Sequence, residues 1–321
     1  MYQYVLGGGS IFYNPLEKHD YSKDYFTIVA LEDGQFKFIV EGCGGTPVDS
    51  HYYSIDNGQT WTELPIGTDT PTISAGNKIL WKNNMSTGEM AGTVSSTGIF
   101  EAQGNVMSLV YGDNFANQTS LEGYNFALRQ LFSNSNIKKT NNLLLPATTL
   151  AQFCYQYMFR GCTNLTTAPE LPATTLNTNC YAFMFEGCTS LTTAPELPAT
   201  TLADSCYAYM FNGCTSLTTA PVLPATTLAS GCYSYMFGAC TSLTTAPVLS
   251  ATTLVNTCYS RMFTGCTSLN SITCLATNIS ANSCTSEWVS GVAATGTFTK
   301  AVGTNWTTGT SGIPNGWTVK P

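Results

Sequence analysis

Leu145-Pro146-Ala147-Thr148-Thr149-Leu150, three further residues, then Cys154-Tyr155-Gln156-Tyr157-Met158-Phe159-Arg160-Gly161-Cys162-Thr163-Asn164-Leu165-Thr166-Thr167-Ala168-Pro169: this stretch decides the reading of the whole chain. Leu-Pro-Ala-Thr-Thr-Leu begins again at Leu171, Leu197 and Leu223, and returns as Leu-Ser-Ala-Thr-Thr-Leu at Leu249, 26 residues apart each time. A fixed period of this length marks stacked units, because one unit cannot bury its apolar face alone.

Comparison of the units with one another separates core from surface. On a helix, at ~100° per residue, Cys154, Tyr155, Met158, Phe159 and Cys162 share one broad arc. The same five residue types recur in every unit, down to Cys258, Tyr259, Met262, Phe263 and Cys266. The opposite positions drift, through Gln156, Ala182, Ala208, Ser234 and Ser260, and through Arg160, Glu186, Asn212, Gly238 and Thr264. Invariance within one chain reports packing, and drift reports solvent. The segment 165–171 reads as a short strand, limited to three or four residues because Pro169 and Pro172 cannot donate to a ladder. The expectation is an α/β solenoid over residues 119–294, with altered units at both ends. Leu131-Phe132 and Ile137 stand in the first, and Cys284, Trp288 and Val289 in the last. Residues 295–321, with Trp306 and Trp317, read as a small β cap.

The unit resembles the BspA-like (Treponema pallidum type) leucine-rich repeats, whose usual pattern runs Leu-x-x-Ile-x-Leu-Pro followed by Ala-Phe-x-x-Cys. Met158-Phe159-x-x-Cys162-x-x-Leu165 holds the second part of that pattern, and the resemblance covers about residues 125–294. The unit is a few residues longer than the usual one. The resemblance implies a leucine-rich-repeat fold and a surface adhesin of oral or gut anaerobes. The low-complexity version is also similar to proteins of phages that infect gut Bacteroidales.

The N-terminal half has a different period. Phe26-Thr-Ile-Val-Ala-Leu31 and Gln35-Phe-Lys-Phe-Ile-Val40 flank Asp33-Gly34, a hairpin signal. His51-Tyr-Tyr-Ser-Ile55 and Gln59-Thr-Trp-Thr62 flank Asp56-Asn57-Gly58, and two more apolar runs follow at 78–82 and 106–111. Short strands at regular spacing predict an all-β sandwich over 25–118, jelly-roll-like. Residues 1–24 read as an arm or attachment segment, and Met1–Gly9 has neither the basic start nor the apolar run of a secretory signal. Ser54-Ile55-Asp56-Asn57-Gly58-Gln59-Thr60-Trp61 resembles the Asp-box of sialidases, in a single copy. In that family the box is a folded turn remote from catalysis.

Composition excludes several functions. Only 10% of residues are charged, against about 25% in an average chain, and the net charge is -7. Nucleic acid and anionic membrane surfaces are recognised through Lys and Arg, so neither is an expected partner. No apolar run reaches the ~18–20 residues of a membrane helix. The histidines, His19 and His51, sit in no metal-type spacing. Carboxylates gather in 17–122 without a pair suited to acid–base chemistry. Three arginines, Arg129, Arg160 and Arg261, are far apart and do not make a sialidase cluster. Ten of the 13 cysteines form two series at the repeat period, which reads as buried thiols filling small slots in a reduced setting. No catalytic residue, metal or cofactor is expected.

One stripe points to binding. Tyr157, Phe183, Tyr209 and Tyr235 edge the apolar arc until Arg261 breaks the run, and Arg160 lies beside the first of them. Rings offer contact area at little entropic cost, so the stripe is the candidate ligand surface, for a sugar or a protein partner. The expectation is therefore a non-enzymatic, extracytoplasmic binding protein, displayed as a phage virion fibre or decoration that contacts a bacterial surface glycan. Homo-oligomerisation follows if the chain is a fibre, as a trimer. The alternatives are a BspA-like adhesin for host matrix or cells, and a structural spacer.

Overall fold

The computed structural model describes residues 20–40 and 45–321. Residues 1–19 of the expected arm lie outside them, and Tyr21–Lys23 forms one 3-10 turn. The strands are β1 (Phe26–Ala30), β2 (Phe36–Ile39), β3 (Thr46–Pro47), β4 (Ser50–Ser54), β5 (Thr62–Pro65), β6 (Lys78–Lys82), β7 (Glu89–Met90), β8 (Thr93–Ser96), β9 (Phe100–Asn105), β10 (Ile137–Leu144), β11 (Ser271–Cys274), β12 (Thr297–Lys300) and β13 (Thr318–Lys320). The one α-helix among the described residues, α1, is a single turn at Ser108–Tyr111.

This overturns the α/β solenoid of leucine-rich repeats: no helix stands where each unit was expected to have one. The backbone shows why. In the first full unit Phe153, Tyr155, Tyr157, Phe159 and Gly161 donate their amides to carbonyls of the next unit, at 2.7–3.2 Å. The residues between them, Cys154, Gln156, Met158, Arg160 and Cys162, donate to the carbonyl three residues back. An α-helix would turn every one of these amides onto position i−4. Here half of them point along the stack. The chain manages this with a left-handed residue every fourth position: Phe153 (φ 60), Tyr157 (φ 60) and Gly161 (φ 70). The pattern repeats at Asn179, Phe183 and Gly187, and at Ser205, Tyr209 and Gly213. Left-handed residues at that density are incompatible with a right-handed helix. Each unit is a ribbon of linked turns bonded to its neighbours.

The expected core positions are nevertheless buried. Tyr155, Tyr181, Tyr207, Tyr233 and Tyr259 stack in one column, with centroids 5.7–6.2 Å apart. Phe132, Phe159, Phe185, Phe211, Phe237 and Phe263 stack in another at 5.1–5.8 Å. The second cysteine series has a further use. Cys188 Sγ donates to the Phe159 carbonyl at 3.0 Å, and Cys214, Cys240 and Cys266 do the same to Phe185, Phe211 and Phe237. These bonds run back down the stack while the amides run up it. Gln156, Ala182 and Ala208, read as solvent-facing on a helix, are buried. A ribbon has no helical back, so positions between the columns also point inward.

The expected strand at 165–171 is extended chain with isolated bridges, such as Thr193 to Thr219. A proline recurs at Pro169, Pro195, Pro221 and Pro247 and removes a donor each time. Where proline is missing the ladder closes. β10, in the first altered unit, pairs in parallel with β9, and β11 starts a parallel sheet with β12 and β13. Trp288 stacks on Trp306 at 5.4 Å at this C-terminal end.

The N-terminal half is not a jelly roll. It has one six-stranded sheet, ordered β10-β9-β1-β6-β4-β5, and two ribbons, β2-β8 and β3-β7. β1 and β2 do not form the hairpin expected around Asp33-Gly34. Gly34 instead exchanges backbone bonds with Ile73, and the chain crosses to a second layer. There Phe36 and Phe38 pack edge-on against Phe100 and Trp81 of the large sheet. β4 and β5 are the hairpin that Asp56-Asn57-Gly58 predicts. One continuous core runs from Phe26 to Trp317.

The turn ribbon makes a test. Ala239 (φ 55) holds the left-handed position that Gly161, Gly187, Gly213, Gly265 and Gly291 hold in other units. Left-handed backbone costs an alanine ~1–2 kcal/mol, partly offset by glycine's greater unfolded-state entropy. Ala239→Gly should therefore raise stability by about 0.5–1 kcal/mol. Gly213→Ala should lower it by a similar amount, since its Cβ would meet nothing closer than 3.6 Å. Urea unfolding followed by circular dichroism checks both signs.

Candidate binding surfaces

Tyr157, Phe183, Tyr209 and Tyr235 form a third column on the flank, half-buried, with centroids 4.7, 4.4 and 4.3 Å apart. Each of the four sits at a left-handed position, which turns its side chain out of the core. The stacking uses up the ring faces. The faces at the two ends are covered as well, Tyr157 by Arg129 and Arg160 at 5.2 and 5.3 Å, and Tyr235 by Arg261 at 5.4 Å. Arg160 is fixed in turn by Glu186 (2.8 Å), and Arg261 by Glu287 (2.7 Å) and the Tyr235 hydroxyl. Burial, followed by the neighbouring Tyr235, pushes the Tyr209 hydroxyl up to about 12. The predicted residues are thus brought together, but as a closed stack that presents ring edges and hydroxyls. No face is left for a sugar to lie on.

Around the proline-rich edge of the units the surface is concave. A groove of about 710 Å³ crosses β10 and the first two units, bordered by Asn141, Asn142, Pro146, Glu170 and Pro172. A second groove, of about 490 Å³, shares Glu170 and Pro172 and continues to Glu196 and Pro198. Pro146, Pro172 and Pro198 stand one unit apart, so the floor repeats along the stack. The side chains of Asn141, Asn142 and Glu170 make no hydrogen bond among the described residues. Sequence reasoning missed this surface, because it treated the prolines only as strand breakers. The signal was available in the exposed Glu170 and Glu196 at one register. That register continues as Val222 and Val248, 79% and 54% exposed, so the acidic character belongs to the first two units alone.

The remaining candidates are structural. Asp56 accepts from the Ser54 hydroxyl (2.7 Å) and from the Thr60 hydroxyl and amide (2.6 and 2.9 Å), which holds its carboxyl down at about 2. The Asp-box-like segment 54–61 is a folded hairpin turn. His51 is buried against Phe38 (3.9 Å) with Nε2 2.7 Å from the Ala91 carbonyl and Nδ1 3.4 Å from Asn83. Burial lowers its pKa to about 4, so at neutral pH Nε2 carries the proton and donates. His19 and Cys43 lie outside the described residues. The twelve described cysteines are free and buried. Desolvation raises their thiols, Cys154 and Cys162 to about 12, which keeps them protonated and unreactive. No group of metal-ligating side chains occurs among the described residues, and no helix there is long and apolar enough to cross a membrane.

Comparison with known proteins adds no relative: no family model, no curated protein and no solved structure matches this chain.

Two outcomes follow. At pH 8 a thiol reagent should modify at most one of the 13 cysteines in the native protein and all of them in guanidinium. Several fast-reacting thiols would mean that the stack opens. His51, with a folded pKa of about 4 and an unfolded one near 6.5, favours folding fully above pH 6.5, and that contribution fades as pH falls toward 4. Its loss is worth up to about 3 kcal/mol. Urea midpoints should drop between pH 6.5 and 5, and His51→Gln should flatten that limb.

Proposed function

We propose that the protein is a non-enzymatic binding protein, displayed on a virion or cell surface, whose first repeats grip an extended surface glycan. The observation that carries this reading is the groove of about 710 Å³ and its continuation. Its floor presents the same proline ring at each unit, and units bonded through their backbones lie ~4.8 Å apart. A polymer lying along the stack therefore meets equivalent contacts at regular intervals. The uncommitted amides of Asn141 and Asn142 and the Glu170 carboxylate supply hydrogen bonds to hydroxyls. The proline rings supply apolar contact for the C–H faces of sugars. Surface glycans are repetitive polymers, which matches a repetitive floor.

The closed aromatic column favours a second reading, a structural spacer. A stack whose rings satisfy one another needs no ligand to explain its tyrosines.

Binding of fluorescent bacterial capsular polysaccharides to the full chain separates the two. Saturable binding that weakens by about tenfold in the double variant Asn142→Ala/Glu170→Ala, and is unchanged in Val222→Ser, supports the groove. No saturable binding to any polysaccharide leaves the spacer. Tenfold corresponds to about 1.4 kcal/mol, the size of one or two lost hydrogen bonds.

A further inference from the structure

The N-terminal half carries a separate concavity of about 510 Å³, lined by β4, the end of β6 and the turn after α1. Its size is that of a small-molecule site. The sheet register builds it. Tyr52 on β4 lies directly opposite Lys82 on β6, and Asn84 follows Lys82 by two residues, which returns it to the same face. Asn84 also bridges to Tyr111, so the segment Gly112–Asn114 closes the far wall.

One wall is rigid. Lys82 Nζ lies 2.8 and 3.0 Å from the two carboxylate oxygens of Asp113, and 4.3 Å from the centre of the Trp61 ring. Asp113 also accepts from the Tyr25 hydroxyl at 2.7 Å. These groups spend their capacity on one another. The side chains of Asp49, Tyr52, Asn84 and Asn114 are exposed into the same hollow and make no hydrogen bond among the described residues. Two amides, a carboxylate and the phenol of Tyr52 lining one hollow suit a polyhydroxylated ring. The amides both donate and accept, the carboxylate accepts from paired hydroxyls, and the phenol ring offers a flat apolar surface. Unlike the rings of the repeat column, Tyr52 has no ring stacked on it among the described residues and is 39% exposed.

The charges narrow the ligand. Asp49, Glu89 and Asp113 face Lys82 alone, and that lysine is already paired, so the hollow is net negative and disfavours an anion.

We propose that this hollow is a second saccharide site, which takes a neutral sugar ring and rejects uronic acids and phosphorylated sugars. It stands on other residues than the repeat groove, and either site can fail without the other. The test is ligand-observed NMR on the full chain with neutral hexoses and N-acetylhexosamines, alongside glucuronic and galacturonic acid as anionic probes. Saturable binding of at least one neutral sugar is expected. Affinity should weaken about tenfold in Tyr52→Ala and fall also in Asn84→Ala, with no saturable signal from the uronic acids. Tyr52 and Asn84 are exposed, and unchanged circular dichroism of both variants confirms that the fold survives. Three results would overturn the proposal: no neutral sugar binds, a uronic acid binds as well as a neutral sugar, or Tyr52→Ala leaves affinity unchanged. Loss of the signal only in Asn142→Ala would move the sugar to the repeat groove and overturn it equally.

Discussion

The whole C-terminal half depends on one backbone rule: alternate amides leave the unit that carries them. A chain that bonds only to itself forms a helix, and one that bonds only to neighbours forms a strand. Here the two alternate residue by residue, and the left-handed position every fourth residue is what lets them. Phe153 and Tyr157 carry the steric cost of that conformation, Gly161 escapes it for want of a Cβ, and the cost recurs in every unit. What offsets it is burial. In each unit a tyrosine, a methionine, a phenylalanine and two cysteines are almost wholly removed from water, at roughly 1.5–3 kcal/mol for each large apolar side chain. The choice of cysteine follows from the same geometry. The slot beside the phenylalanine carbonyl is small, and a thiol fills it while donating to that carbonyl. An alanine would fill less of the slot and donate nothing, and a serine would bring a more polar group into an apolar column.

A stack of this kind has two open ends, and the chain closes them by changing composition. At the start, β10 contains no proline and can pair with β9, which ties the repeats to the six-stranded sheet. Phe132 then serves both sides, stacked on Phe159 and packed against Phe26 and Phe100. At the other end Trp288 stands where earlier units have methionine. The indole is large enough to cover both columns, lying 6.3 Å from Tyr259 and from Phe263. Its Nε1–H is satisfied by the Gly312 carbonyl at 2.8 Å.

The repeat period and the identity of the buried residues were legible in the sequence, and the local geometry was not. Cys154, Tyr155, Met158, Phe159 and Cys162 are separated by steps of one, three, one and three. Over two turns, a helix of period 3.6 and a ribbon of period four place such residues on the same side, so the apolar pattern cannot tell them apart. The discriminating signal lay in the positions set aside as variable. Asn179, Ser205 and Gly231 occupy one register, all of types that favour turns, and all are left-handed. Gly161, Gly187 and Gly213 give the same message eight residues on. The aromatic members at Tyr157 and Phe183 conceal it, since bulky residues seldom take that conformation. In the N-terminal half the strands were legible and their partners were not. Asp33-Gly34 is a good turn, but a turn does not say whether the chain comes back beside itself or crosses to another layer. Here Ile73 occupies the partner position beside Gly34, and β2 is left to pair with β8.

The same rule that builds the stack limits where a ligand can be held. A strictly repeated residue is held by its copies above and below. The stripe from Tyr157 to Tyr235 shows this on the flank, where ring covers ring and an arginine closes each end. Repetition therefore consumes the ring faces that recognition needs. The repeated Tyr155, Tyr181 and Tyr207 hydroxyls lack a partner but are sealed in the core, and the accessible uncommitted groups of the two proposed sites lie where repetition breaks. Asn141 and Asn142 belong to the imperfect first unit, and Glu170 and Glu196 to a register that later turns to valine. Asp49, Tyr52, Asn84 and Asn114 lie in the half with no repeat at all. The near-identical middle units thus serve the stack itself, and the two proposed sites draw on the irregular positions beside them.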